Sequence, residues 1–224
     1  MSRIFEPSER FREAVARFDR ANAEDPNVET VDGASHPKEL LYAQRMSAAL
    51  ERFAPEASEV VRLAARCQHI RRWTVPRDTY PEGRDGYRRW RADLGRFHAE
   101  TAGDVLHEVG YDDATVGRVQ ALLRKERLKA DPEVQLLEDV VCLVFLSHYL
   151  APFAAQHEDE KVVGILRKTW RKMSERRSRS RAGAAGAGDP RCRLTGVFFV
   201  GCPCPRLPAE LPPHRHPLRR HLHV

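Results

Sequence analysis

From Val134 to Phe153 the chain is apolar on nearly every side of a helix, with two adjacent carboxylates, Glu138 and Asp139, inside the run. A helix that is hydrophobic all round must be wrapped by other elements or by lipid. Glu138, Asp139 and His148 interrupt it, which argues against a membrane span. The expectation is therefore a central core helix surrounded by amphipathic ones. A chain of 224 residues is long enough to bury such a core without disulfides or a structural metal.

The surrounding pattern is helical. Ser8 is a good N-cap for a first helix carrying Phe11, Val15 and Phe18 on one face. Pro37, with Glu39 nearby, opens a second with Leu40, Leu41, Met46, Leu50 and Phe53. Pro55 opens a third through Val60, Leu63, Cys67 and Ile70. The proline- and glycine-bearing stretch Thr74 to Gly86 reads as a loop, long enough to serve a function. Tyr87 to Val109 then traces a long helix ended by Gly110, and Asp112 or Asp113 caps the next. Asp131-Pro132 restarts the chain as cap and first residue of the central helix, and a last amphipathic helix runs from about Asp159 to Met173. The predicted fold class is all-α, a compact bundle over residues 1–174.

After Ser174 the composition changes to an Arg- and Pro-rich, low-complexity tail, 175–224, expected to be disordered. It is either an aberrant extension or a basic arm for nucleic acid or anionic membrane. It holds ten arginines and three acids of a chain with 38 basic and 32 acidic residues, which leaves 28 basic and 29 acidic residues before it. A nearly neutral domain offers no global excess for nucleic acid, which is expected only through the tail. The N-terminus lacks a basic-then-apolar leader, so a cytoplasmic, non-membrane protein is expected. Cys67 and Cys142 fall in apolar helical patterns, and Cys202-Pro-Cys204 lacks the second pair of a zinc site.

Chemistry-bearing residues fall at His36, at Gln68-His69, at His98 and at Glu138-Asp139. A buried carboxylate is costly unless paired, hydrogen-bonded or bound to metal. Adjacent helical positions point about 100° apart, so one of the two acids should face the centre. Interior cations could answer them, Arg71, Arg72, Lys125 and Lys129 being candidates. Alternatively, imidazoles from separate helices and one carboxylate suit a divalent ion such as zinc, manganese, iron or nickel.

These positions resemble the HD superfamily of metal-dependent phosphohydrolases, which place a His at a helix start, a His-Asp pair near the end of a following helix and an Asp in a later buried one. His36, Gln68-His69 and Asp139 stand in that order, and His98 with the segment after it resembles the superfamily's His-containing helix. The resemblance implies a hydrolase of a phosphate ester or nucleotide, with His36, His69 and Asp139 as metal ligands. His98 and Glu138 would be catalytic, and Arg71, Arg72, Arg84, Lys125 and Lys129 would contact substrate. Gln68-His69 in place of His-Asp removes the usual bridging carboxylate, and so admits a second reading, a catalytically degenerate module for ligand or partner binding. The strings SHPKELLYAQRM, CQHIRRW, YPEGRDGYRRW and LEDVVCLVFL resemble a bacterial and fungal family known only as a domain of unknown function. A remote alternative, an aminoacyl-tRNA synthetase, comes from Lys172-Met173-Ser174 and His69-Ile70-Arg71-Arg72, which resemble that class's signatures but fall on predicted helices.

Overall fold

A computed structural model gives the fold and describes residues 5–174. The run expected to be one central helix is divided into a helix, Pro132–Val144, which lies in the core, and a π-helical turn, Phe145–Tyr149, and short helix, Leu150–Ala154, neither of which has a buried residue. In chain order the helices are α1 (Glu9–Ala23), α2 (Lys38–Phe53), α3 (Glu59–Cys67), α4 (Gly83–Glu108) and α5 (Asp113–Leu123). They are followed by α6 (Pro132–Val144), α7 (Leu150–Ala154) and α8 (Asp159–Lys172). By length and composition alone, Pro132–Ala154 is apolar enough to cross a membrane. In this fold α6 is instead the hub of the core and packs on α2, α3, α5 and α8. Phe18, Met46, Leu50, Leu63, Ile70, Leu106, Val119, Leu122 and Leu137 fill the space between the helices.

Local chemistry sets the helix ends. Ser8 accepts the amide of Phe11, and Asp112 that of Thr115. Asp131 accepts the amides of Glu133 and Val134 and is gripped by Arg118 of α5 at 2.6 and 2.8 Å. That guanidinium, the leading influence, holds Asp131 well below the usual carboxylate range. α3 begins at Ser58, whose side chain caps Val61, and not at Pro55. α4 begins at Gly83, four residues before Tyr87, because Gly86 lets Pro81 fold against the first turn. A Cβ at Gly86 would lie 1.8 Å from the Pro81 carbonyl oxygen.

One element departs from the all-helical expectation. Val28–Val31 and Ala34–Pro37 form a two-stranded antiparallel hairpin, β1 and β2, pairing Glu29 with His36. Asp32 and Gly33 turn it with φ of 50° and 80°, the left-handed pair that a tight hairpin requires. His36 therefore sits on a strand and not at the start of a helix. The N-terminus of α2 is capped from a distance: Asp25 Oδ2 accepts the Glu39 amide at 3.0 Å while its Oδ1 holds Asn27. The predicted tail, including Cys202-Pro-Cys204, lies outside the described residues.

Candidate functional site

Just beyond α3 the chain reverses sharply. Arg71 adopts φ +51°, a left-handed conformation that costs a non-glycine residue about 1 kcal/mol, and its amide is held by the buried Asn22 side chain at 3.0 Å. The turn sends Ile70 into the core and leaves His69 and Arg72 facing two adjoining cavities, of about 280 and 340 Å3. Gln68, His69, Arg72 and Arg91 line both. Lys38, Glu39, Tyr42, Val141, Phe145 and Tyr149 complete the first, whereas Leu94, His98 and Lys125 belong to the second. The π-helical turn after α6 supplies Phe145 and Tyr149, and Arg45 ties the Tyr149 hydroxyl (2.9 Å) to hairpin residue Glu29 (2.7 Å).

His69 is fixed on three sides. Its Nδ1 lies 3.1 Å from Glu39 Oε2, its Nε2 lies 3.4 Å from Arg72 Nη1, and the Tyr42 ring stacks on it at 4.0 Å. A guanidinium can only donate, so Nε2 is the acceptor and Nδ1 carries the proton given to Glu39. Tyr42 in turn donates to Gln68 Oε1 at 2.8 Å. Burial, reinforced by Arg72, Arg91, Lys125 and Lys38, holds His69 well below the ordinary histidine pKa, so the ring is neutral. Burial also pushes the Glu39 carboxyl up to about 7, with Arg72 opposing. Arg72 stands over the Trp90 ring at 4.9 Å, and Trp90 fastens the preceding loop through the Val75 carbonyl at 2.9 Å.

The second cavity is more cationic. Lys125 has φ +57°, another left-handed non-glycine residue, and its ammonium is hydrogen-bonded to Glu138. Burial draws the Lys125 pKa down against the pull of Glu138, while Arg91 pushes it further down. Burial alone would raise Glu138, but Lys125 and Lys172, the latter at 3.5 Å, overcome it and hold that carboxyl below its ordinary value. Arg91 is half-buried and makes no hydrogen bond or ion pair among the described residues. Glu39 is the sole acid among the residues lining the two cavities.

A family model described as a domain of unknown function (DUF4202) matches residues 12–189. The chain belongs to that family. No curated protein and no solved structure matches it.

Of the residues singled out in the sequence, the fold brings His69, His98, Arg72 and Lys125 to the cavities, with Glu138 behind Lys125. It does not bring the others. His36 pairs across the hairpin with Glu29, and Arg71 turns away to Glu24 at 2.7 Å. Arg84 is exposed on the first turn of α4, and Lys129 caps the end of α8 through the carbonyls of Arg171 (3.1 Å) and Lys172 (2.7 Å). Asp139 points from α6 to α8, where it accepts from Gln135 (2.8 Å), from the Ser174 amide (2.8 Å) and from the Ser174 hydroxyl. As a ligand set His36, His69 and Asp139 do not fit a metal ion. Asp139 and His69 spend their donor atoms on other partners, His36 lies on the hairpin, and among the described residues no three His, Cys, Asp or Glu side chains are grouped to hold one. The Lys172-Met173-Ser174 string is the docking end of α8, and the described residues contain no parallel sheet of the kind the synthetase signatures accompany.

Glu39, Tyr42 and Arg91 belong to the site but were not among the residues proposed from sequence. Glu39 and Tyr42 are three apart on one face of α2, a spacing that pairs them once that helix is placed. Nothing local separates Arg91 from the other arginines of YRRWRADLGR.

Proposed function

We propose that the paired cavities bind a small phosphorylated organic molecule, a phosphate ester or nucleotide, through Arg72, Arg91 and Lys125. The observation that carries this reading is Arg91, a half-buried guanidinium that lines both cavities without a partner among the described residues. Arg72, which faces Glu39, and Lys125, which pairs with Glu138, stand with it, and the two linings also hold Lys38, Arg96 and Arg124 against one lining acid, Glu39, so the site has a surplus of donors suited to a dianion. Arginine forks match phosphate oxygens geometrically, and charge-assisted hydrogen bonds of this kind contribute about 1.5 to 3 kcal/mol each. The cavity sizes suit small ligands. The likeness to HD-superfamily phosphohydrolases agrees with this ligand class, while its metal set is not carried over.

Isothermal titration with inorganic phosphate, methyl phosphate, ribose 5-phosphate and a nucleoside monophosphate tests the proposal. Binding should weaken with salt, and Arg91→Ala should lower the affinity at least tenfold. Absence of phosphate binding at millimolar concentration, or indifference to Arg91→Ala, refutes it.

A second reading, turnover of the bound ester, is favoured by Glu39 and His69. A carboxyl pushed up to about 7, hydrogen-bonded to a neutral imidazole, is suited to moving a proton at neutral pH. A phosphatase screen with and without divalent metal tests it. Activity lost in Glu39→Gln supports this reading, and binding without turnover leaves the site a ligand-binding module.

A further inference from the structure

We infer that His98 is the specificity element of this pocket. It accepts a hydrogen bond from a hydroxyl of the bound molecule, and so selects hydroxylated phosphate esters such as sugar phosphates over inorganic or alkyl phosphate. The inference rests on the reading of the cavities as a phosphate site, and it adds which phosphates enter.

The argument is one of proton accounting. His98 lies on the inner face of α4, 4% exposed, and lines the second cavity with Arg91 and Lys125. Its Nδ1 is 2.9 Å from the Ile70 carbonyl oxygen. A carbonyl can only accept, so the ring proton sits on Nδ1 and Nε2 presents a bare lone pair. That Nε2 is buried and has no hydrogen-bond partner among the described residues. Protonating it would place a cation beside Arg72 and Arg91 in a buried position, and burial first, then His69 and these arginines, hold the ring well below its ordinary pKa. Nε2 is therefore an acceptor in want of a donor.

Unpaired buried acceptors are costly, and a native site that keeps one has a use for it. The other two such atoms among the described residues belong to Asn22 and Gln135, which line neither cavity. The cations here recognise an anion, and an anion without a proton gives His98 nothing. One molecule satisfies both demands if it carries a phosphate and a hydroxyl. Above pH 7 a phosphate monoester is largely dianionic, since its second pKa is about 6, so its phosphate cannot supply the missing donor.

The test is a titration of the full chain at pH 8 with ribose 5-phosphate and with methyl phosphate, read as the ratio of the two Kd values. Filling a buried, unpaired acceptor should make that ratio about tenfold in favour of the sugar phosphate. His98→Phe and His98→Leu, which carry no acceptor, should bring it close to one. Should either variant fail to fold, the wild-type chain still decides the matter through the 15N resonance of His98 Nε2. That resonance should move from the unprotonated towards the hydrogen-bonded position with ribose 5-phosphate and stay in place with methyl phosphate. A preference that survives both substitutions, or an Nε2 resonance unmoved by saturating ribose 5-phosphate, overturns the inference and leaves the phosphate site standing. Failure of both probes to bind removes the phosphate site and this inference together.

Discussion

Replacing Lys125 by Met removes the ammonium that answers Glu138 while keeping the unbranched stem of the side chain, one atom shorter. Glu138 is 3% exposed and has two cations, the hydrogen-bonded Lys125 and, at 3.5 Å, Lys172, which is itself 59% exposed. Stranding one partner of a fully buried ion pair costs about 3 to 5 kcal/mol. Lys172 retains part of the balance and Lys125 is 23% exposed, so the cost here should be nearer 2 to 3 kcal/mol by the same principle. The left-handed backbone at position 125 is equally strained with Met, so it does not enter the difference. The double variant Lys125→Met, Glu138→Leu removes both charges and should return to within about 1 kcal/mol of wild type. Urea unfolding at pH 7, with and without a chelator, gives all four free energies, and the chelator should change none of them. The pH dependence has a definite sign. Glu138 is held below its ordinary value of 4.5, so its contribution is complete above that value and is lost as pH falls through the lower, folded one. The gap between wild type and Glu138→Gln should therefore close in acid. A cost below 1 kcal/mol for Lys125→Met, or a double variant as unstable as the two singles summed, would refute the pairing.

Glu39→Gln should alter the pH profile of stability in the opposite sense. With the folded pKa raised from 4.5 to about 7, the native state keeps a proton that the unfolded chain releases, so Glu39 lowers stability on the order of 3 kcal/mol as pH rises across that window. His69 and His98, held low, add stability as pH rises towards 6.5, and subtracting the Glu39→Gln profile from wild type isolates the carboxyl. Urea midpoints between pH 4.5 and 7.5 check it, and parallel profiles would contradict it. Asp139→Ala and Ser174→Ala should each cost about 1 to 3 kcal/mol, the penalty of orphaning buried polar groups and less than that of stranding an interior cation, because the partners of Asp139 are neutral. Thermal melts of both and of the double variant should show strong non-additivity; additive losses would mean that the contact is not formed.

The helices were legible because their signals are local. Ser8, Asp131-Pro132 and Gly110 act on neighbouring amides and carbonyls, and the apolar run after Val134, broken by Glu138 and Asp139, marked the core helix in its first half, whereas Phe145–Ala154 is only half-buried. The hairpin was not legible, because VETV and ASHP are short and half polar, and only Asp32-Gly33 announces the turn. Missing it moved His36 from a strand to a helix start and placed it in a ligand set. The site was half legible. His69, His98, Arg72 and Lys125 belong to residue types whose burial demands a reason, whereas Arg91 and Glu39 read like any solvated charge until the turn at Arg71 brings α2, α3 and α4 together. The order His36, Gln68-His69, Asp139 resembles a metal set along the chain, but order along a chain does not fix direction. Asp139 points at α8, away from His69.

The two adjacent carboxylates of α6 make physical sense as a pair only when α8 is considered. α8 has no fully buried residue; its apolar side chains Val162, Ile165 and Leu166 are half-buried. Its C-terminal end is held by polar groups: Lys129 and Gln135 take its last carbonyls, Ser174 donates to Asp139, and Lys172 reaches Glu138. Positions 138 and 139 point about 100° apart, which lets one face the end of α8 and the other face the cavity wall at Lys125. Glu138 is shared between the two, with Oε1 towards Lys172 and Oε2 towards Lys125. Its charge therefore depends on both sides at once. An anion that draws Lys125 towards the cavity leaves Glu138 more reliant on Lys172, and a loosened α8 leaves it more reliant on Lys125. Such a dependence is reciprocal by thermodynamic necessity, so the docking of α8 and the electrostatics of the pocket are one balance distributed over a single buried carboxylate.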